Sequence, residues 1–218
     1  MLDAEYDRLE SVFLAQRLHD ATETCTHLDV TCDDDQLLLT STMVCTVHAD
    51  MQRVANALWA IYSQEVPVVL ESGALLALPR VDEATRYTKL LLRYPGNFEL
   101  HGNMASKRYD ESSSRIAFTM RIVLDDELYP YPPEVYVPQE SAWFVIERTG
   151  ANTSRIKYFS RGHVPCKSYR DASRHRDTDL SFSALADHVL AGYRSNLQTM
   201  QTRIERHLFE SLPIFFAV

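Results

Sequence analysis

The order of predicted elements indicates an α+β fold, in which a curved antiparallel sheet wraps around one long C-terminal helix. Strand-like segments follow one another between residues 85 and 163, and their connections are so short that consecutive strands must be antiparallel neighbours. Helical periodicity occurs near the two ends of the chain and in one short segment between strands. Because the strands come in series and do not alternate with helices, α+β is favoured over α/β.

The N-terminal part of the chain is predicted to form a helix followed by a hairpin. Residues 1–22 are expected to hold one helix, since apolar side chains recur there near helical spacing. Strands are predicted at 27–30 and 36–49, and the second is rich in Thr, Val and Leu. The acidic run 33–35 between them is typical of a turn.

A short helix is predicted directly after the second strand. Asp50 has the side chain of an N-cap, and the segment 51–63 that follows it has one apolar side. Residues 66–72 and 74–81 are then expected to form either short strands or irregular segments at the wall of the domain. The antiparallel sheet as a whole is predicted to lie between residues 27 and 163.

The second half of the chain holds the strand series and the long helix. Strands are predicted at 85–94, 98–109, 115–124, 141–149 and 153–163. An amphipathic helix of about 31 residues is predicted at 182–212, with a span of roughly 45 Å. A helix this long needs a broad surface, which the predicted sheet offers. The length of the chain allows one large domain or two small ones, and residues 1–218 are predicted to form one. A strongly curved sheet cannot follow a straight helix along its whole length, so a cavity is expected between them.

Composition restricts the partners of this chain. The formal net charge of −8 disfavours binding to nucleic acid and stable binding to anionic membranes, although transient membrane contact remains possible. The four cysteines form no CxxC pair, and the charged N-terminal stretch has no apolar signal region. No apolar run reaches the roughly 18–20 residues of a membrane span. These features predict a cytoplasmic protein with reduced thiols.

No catalytic or metal-binding pattern stands out. His163, Cys166 and His175 match no compact zinc spacing, and 112–114 lacks the glycine-flanked elbow of a hydrolase nucleophile. The sequence therefore predicts a protein without catalytic residues, metal or cofactor.

Three segments resemble the START-like, helix-grip (SRPBCC) superfamily of lipid-binding domains. They are VHADMQRVANALW (47–59), RIAFTMRIVLDDELYPYPP (115–133) and SAWFVIERTGANTSRIKYFSRGHVP (141–165). Within this superfamily the chain is most similar to the START-like proteins expanded in oomycetes. The resemblance implies a hydrophobic ligand cavity that the C-terminal helix and nearby loops close. Two alternatives to a lipid-binding protein are kept. One is an enzyme of the same superfamily, cyclase-like or hydrolase-like, and the other is an interaction scaffold with a filled cavity.

Strand alternation indicates which side chains face this cavity. Ile116, Phe118 and Met120 share one face of their strand, while Thr119 and Arg121 share the other. The predicted ligand-binding residues are Trp59, Phe118, Met120, Arg121, Phe144, Tyr158, Tyr193, Leu197 and Met200. For Arg121 two roles stay open, a buried pair that grips a lipid headgroup and a solvated salt bridge on the outer face. Ligand uptake is expected between the long helix and the loops around 125–138 and 165–180.

Overall fold

A single antiparallel sheet forms the centre of the fold in a computed structural model that describes residues 1–33, 36–65, 69–79, 81–95, 98–165 and 182–210. Its strands are β1 (Cys25–Asp33), β2 (Gln36–Val47), β3 (Val69–Leu70), β4 (Gly73–Ala77), β5 (Thr85–Tyr94), β6 (Phe98–Ser112), β7 (Arg115–Val123), β8 (Gln139–Gly150) and β9 (Thr153–Pro165). The helices are α1 (Leu2–Asp7), α2 (Leu9–Ala15), α3 (Met51–Tyr62) and α4 (Phe182–Glu210). This element order confirms the predicted α+β class.

The strand order across the described sheet is β1-β2-β9-β8-β7-β6-β5-β4-β3, and all neighbours are antiparallel. From β3 to β9 each strand pairs with the next one in sequence, as the short connections predicted. The β1–β2 hairpin then joins the sheet through β9, with register from Gln36↔Pro165 to Val47↔Ser154.

The inner face of the sheet, toward α3 and α4, holds a large part of the core. As predicted, Ile116, Phe118 and Met120 of β7 share this face and are buried. Leu208 of α4 packs in the same cluster, and the Arg53 side chain of α3 donates a hydrogen bond to Leu208 O at 2.8 Å. The long helix therefore lies on the sheet, with the apolar stripe predicted from its spacing turned inward.

The opposite, outer face is covered at its centre by α1 and α2. Leu9 of α2 packs with Ala117, Trp143 and Phe159. The Trp143 Nε1–H donates to the main-chain oxygen of Glu5 in α1 at 2.8 Å. Strands β7, β8 and β9 are thus apolar on both faces because both are covered, whereas the sequence pattern assigned their apolar side chains to the face of the long helix.

The single N-terminal helix predicted over 1–22 is wrong. The Arg8 N–H bonds to Glu5 O at 3.2 Å, an i→i−3 turn that separates α1 from α2. Helix α2 ends at Ala15, and Arg17 has a positive φ of 57°, a left-handed conformation in which a helix cannot continue. The chain then turns into β1, which is longer than the predicted 27–30.

The N-cap of α3 is confirmed, since the Asp50 carboxylate accepts a hydrogen bond from the Gln52 N–H at 2.9 Å. The predicted turn residues 34–35 and 96–97 lie outside the described residues, as do 211–212 at the end of the predicted long helix.

Candidate ligand cavity

A cavity of about 110 Å³ lies between α4 and the inner face of the sheet. Apolar side chains form most of its wall. The described residues that line it are Tyr62, Leu70, Leu75, Leu90, Leu92, Met104, Met120, Arg121, Ile122, Glu140, Ala142, Tyr158, Tyr193, Asn196, Leu197 and Met200.

Two periodicities bring these side chains together. On the sheet, cross-strand neighbours share a face, so Met120 of β7 lies beside Ala142 of β8. On α4, Tyr193, Leu197 and Met200 recur every three or four residues and therefore form one stripe toward the sheet. The cavity occupies the space between this stripe and the concave face.

Close contact beside the cavity fixes the distance between α4 and the sheet. A Cβ atom at Gly192 would lie 2.6 Å from Cε1 of Tyr94, so the helix backbone rests almost directly on this ring. Val189, one turn earlier, is fully buried. Only glycine allows α4 to approach β5 this closely, which makes Gly192 a contact point of the helix on the sheet.

A hydrogen bond between Tyr193 and Glu140 forms the polar end of the cavity. The Tyr193 hydroxyl donates to Glu140 Oε2 at 2.9 Å. Glu140 borders the cavity and keeps some accessible surface, but protein atoms surround its carboxyl group. This burial raises the pKa of Glu140, and the hydrogen bond from Tyr193 offsets the effect only in part.

Four tyrosines from different elements surround this carboxyl group. Burial raises the pKa of Tyr62 on α3, Tyr94 on β5, Tyr158 on β9 and Tyr193 on α4, and the negative charge of Glu140 raises each pKa further. The phenols therefore stay neutral across the physiological range. The Tyr94 hydroxyl is buried and has no hydrogen-bond partner among the described residues.

The structure separates the predicted ligand-binding residues into a cavity group, a packed core group and Arg121 by itself. Met120, Tyr158, Tyr193, Leu197 and Met200 meet around the cavity.

Trp59, Phe118 and Phe144 lie on the same side of the sheet but not in the cavity wall. The Trp59 and Phe118 rings are stacked with centroids 5.8 Å apart, and Phe144 packs against Tyr158 with centroids 4.4 Å apart. These three residues belong to the packed core near α3.

Arg121 borders the cavity, but its guanidinium group is engaged on the outer face of the sheet. There it pairs with Glu5 of α1, whose side chain is 1% exposed. Glu99, an acidic residue on a neighbouring strand of the series, pairs with Arg93 at 2.9 Å. Of the two roles left open for Arg121, this geometry is that of the outer-face salt bridge.

Sequence reasoning missed Glu140, Tyr62 and Asn196. Glu140 was overlooked because the strand was predicted to begin at residue 141, whereas β8 begins at Gln139. Extending the alternation of Ala142 and Phe144 by one step would have placed Glu140 on the inner face.

Two side-chain contacts tie α4 to the turn between β3 and β4. Asn196 Nδ2 donates to Ser72 Oγ at 2.9 Å, and the Ser195 hydroxyl donates to the Glu71 carboxylate. Because Asn196 also lines the cavity, these two contacts attach α4 to the β3–β4 turn at the cavity wall.

The loop between β7 and β8, expected to flank ligand uptake, is held against the sheet. The Tyr131 hydroxyl donates to Val123 O at 2.6 Å and accepts from the Asn103 N–H at 2.7 Å. Tyr136 stacks on Phe98 with centroids 4.2 Å apart. The second expected loop falls mainly on 166–181, outside the described residues.

Neither a metal cluster nor a membrane span occurs in the described part of the chain. Its residues contain no group of three or more His, Cys, Asp or Glu side chains able to hold a metal ion, while Cys166 and His175 lie outside it. Within the same described residues, no helix is long and apolar enough to cross a membrane.

No protein-family model matches the sequence, and no curated protein matches it. Solved structures do match. Human STARD10 superposes with a TM-score of 0.53 at 12% identity, covering 90% of this chain and 80% of that one. The chain has the fold of START domains. Human StAR-related lipid transfer protein 5 gives a TM-score of 0.52 at 9% identity, covering 93% and 96% of the two chains. The STAR-related lipid transfer protein from Xanthomonas axonopodis gives 0.51 at 12% identity, covering 82% and 98%. The helix-grip fold predicted from the sequence is thereby confirmed.

Proposed function

We propose that this protein binds a lipid or another hydrophobic small molecule in the cavity beneath α4, and that it transports or senses that molecule. The cavity is the observation on which this proposal depends, because it combines an apolar wall with one polar end formed by Glu140 and Tyr193. The START fold adds support, since two of the matching structures are named lipid transfer proteins. Burial of apolar ligand surface, at roughly 25 cal/mol per Å², would supply the binding free energy.

The size of the cavity indicates how such a ligand is admitted. A volume of about 110 Å³ is well below the roughly 300–1,000 Å³ of typical small-molecule sites. Binding of a lipid-sized molecule therefore requires α4 to move outward. Opening the sheet instead would break main-chain hydrogen bonds, whereas the contacts of α4 with the sheet are made largely by side chains.

The finer assignments belong to this proposal as well. We place the chain among START-like proteins, nearest to those expanded in oomycetes, on the strength of the segments 47–59, 115–133 and 141–165. A cytoplasmic location, brief contact with membranes and the absence of nucleic-acid binding stay predictions. They agree with the net charge of −8.

A second candidate function is acid–base catalysis on a bound molecule, although we favour a binding protein without enzymatic activity. The specific observation in favour of catalysis is the Glu140–Tyr193 hydrogen bond, because it joins two groups able to transfer a proton and burial raises the pKa of this carboxyl group above that of an ordinary glutamate. The two functions differ in whether the bound molecule leaves the cavity chemically changed.

Native mass spectrometry of protein purified from its own cells tests the proposal. We expect a discrete apolar adduct that organic solvent extracts and that returns from the protein unchanged in mass. The matched control is Ala142→Leu, whose added side chain points into the cavity and should abolish the adduct. A wild-type protein without any adduct, or adducts equal in both proteins, would contradict binding at this site. Conversion of an extracted molecule on its return to fresh protein would favour catalysis.

A further inference from the structure

Among the residues that the structure describes, the carboxyl group in the cavity has no basic partner inside it. Glu140 is the only acidic residue among the described lining residues, and Arg121 is the only basic one. Since the Arg121 guanidinium pairs with Glu5 on the outer face, it does not balance the charge of Glu140. A buried carboxylate that borders a mainly apolar space and has no counter-ion is unfavourable, and a bound cation would relieve this.

The surroundings of Glu140 suit a cation in a second way. Tyr62, Tyr158 and Tyr193 line the cavity beside it, from three different elements. Aromatic faces attract a cation through their quadrupole, and this attraction grows when the cation is removed from water. The same rings would offer no such attraction to an anionic headgroup, and the charge of Glu140 would repel it.

We propose that the polar end of this cavity selects a ligand bearing an amine or other ammonium group, with Glu140 as its counter-ion. The inference rests on the proposed function, because it assigns the headgroup class of the molecule that the cavity holds. The apolar wall would take the hydrocarbon part of the ligand, while the cation would lie between Glu140 and the surrounding tyrosines. Fatty-acid-like carboxylates are disfavoured by the charge of Glu140.

Binding of an ammonium ligand should depend on pH. The groups that face Glu140 from the elements packed around it are Tyr62 on α3, Tyr94 on β5, Tyr158 on β9 and Tyr193 on α4, and these phenols remain neutral because their pKa values are raised. Among the described residues that line the cavity, Glu140 is then the acidic group whose charge depends on pH. Affinity for an ammonium ligand should fall as pH falls through the Glu140 pKa, whereas affinity for an uncharged ligand should not.

Three probes with the same hydrocarbon chain separate the contribution of the headgroup to affinity from that of the apolar wall. They are decylamine, decanol and decanoate, each titrated calorimetrically into the full chain. We expect decylamine to bind at least about tenfold more tightly than decanol, and decanoate to bind most weakly. Glu140→Gln should bring decylamine and decanol to equal affinity. The control Glu127→Gln removes a carboxylate from the exposed loop after β7 and should leave the preference unchanged.

The outcomes distinguish this inference from the function on which it rests. Binding of decanol with no preference for decylamine, or a preference that persists in Glu140→Gln, would overturn the amine assignment and leave the proposed function standing. If none of the three probes binds, both are contradicted. The pH dependence of decylamine binding to the unaltered protein tests the same assignment without any variant, since an affinity that stays constant from neutral pH to below the ordinary pKa of glutamate would refute Glu140 as the counter-ion.

Discussion

Filling the cavity with one larger side chain tests how much free volume lies beneath α4. Ala142 lies on the inner face of β8, between Met120 on β7 and Ser160 on β9, and it borders the cavity with 5% of its surface exposed. Ala142→Leu adds three carbon atoms that point into a volume of about 110 Å³. At about 0.8 kcal/mol for each buried methylene group, the substitution should raise the free energy of unfolding by up to about 2.4 kcal/mol.

The matched control makes the same change at a buried position that does not line the cavity beneath α4. Ala117 on the outer face of β7 is fully buried and packs in the cluster that contains Leu9 and Trp143. Ala117→Leu should therefore overpack this layer and lower the free energy of unfolding by about 1–3 kcal/mol. The two variants thus differ in the sign of their effect, although the chemical change is identical.

Urea unfolding and thermal melting measure both variants. For a chain of this size, 2.4 kcal/mol corresponds to an increase in Tm of about 5–10 °C. If Ala142→Leu lowered Tm as far as Ala117→Leu does, the space beneath α4 would have to be filled in the folded protein. The interaction scaffold with a filled cavity would then be the better description.

Three further predictions concern the cavity and the helix that covers it. Because the folded-state pKa of Glu140 is raised, its contribution to stability is fully present below the unfolded-state pKa of glutamate and is lost as pH rises through the folded-state pKa. Glu140→Gln should therefore gain stability over the unaltered protein as pH rises in urea titrations, and a difference that does not vary with pH would contradict the raised pKa. Asn196→Ala breaks the hydrogen bond to Ser72 and should speed the release of a fluorescent lipid in stopped-flow experiments; an unchanged rate would mean that α4 is not released at this turn. Gly192→Ala should destabilise the protein by about 1–3 kcal/mol in spite of the better helix propensity of alanine, because its Cβ would lie 2.6 Å from the Tyr94 ring. The companion variant Tyr94→Leu should make the alanine substitution tolerable, and additive losses in a double-mutant cycle would show that the two positions do not interact.

The side-chain periodicities of the sequence predicted which face of each element turns inward. Met120 and Tyr158 follow from strand alternation, and Leu197 and Met200 follow from helical spacing. These patterns say nothing about position along the sheet. Phe118 has the same parity as Met120, yet it lies beneath α3 and outside the cavity wall, because the tertiary position of α3 decides where the core is filled.

Long-range pairs were beyond the reach of sequence reasoning for a related physical reason. The strand series places Glu99 on the strand next to Arg121, but the partner of Arg121 is Glu5 at the start of the chain. Tyr193 and Glu140 are likewise far apart in sequence and meet only because α4 crosses β8. Such pairs depend on how whole helices and strands pack against one another. Local residue patterns do not predict this packing.

The pairing of β2 with β9 sets an order of events during synthesis of the chain. More than a hundred residues separate Val47 from its partner Ser154, so the β1–β2 hairpin has no place in the sheet when it leaves the ribosome. At typical translation rates of about 5–20 residues per second, roughly 5–20 s pass between the synthesis of the β1–β2 hairpin and that of β9. During that interval Leu37 and Leu39, which are almost completely buried in the finished protein, are exposed to solvent or to chaperones. The described sheet is therefore completed late, when β9 inserts between the first hairpin and β8.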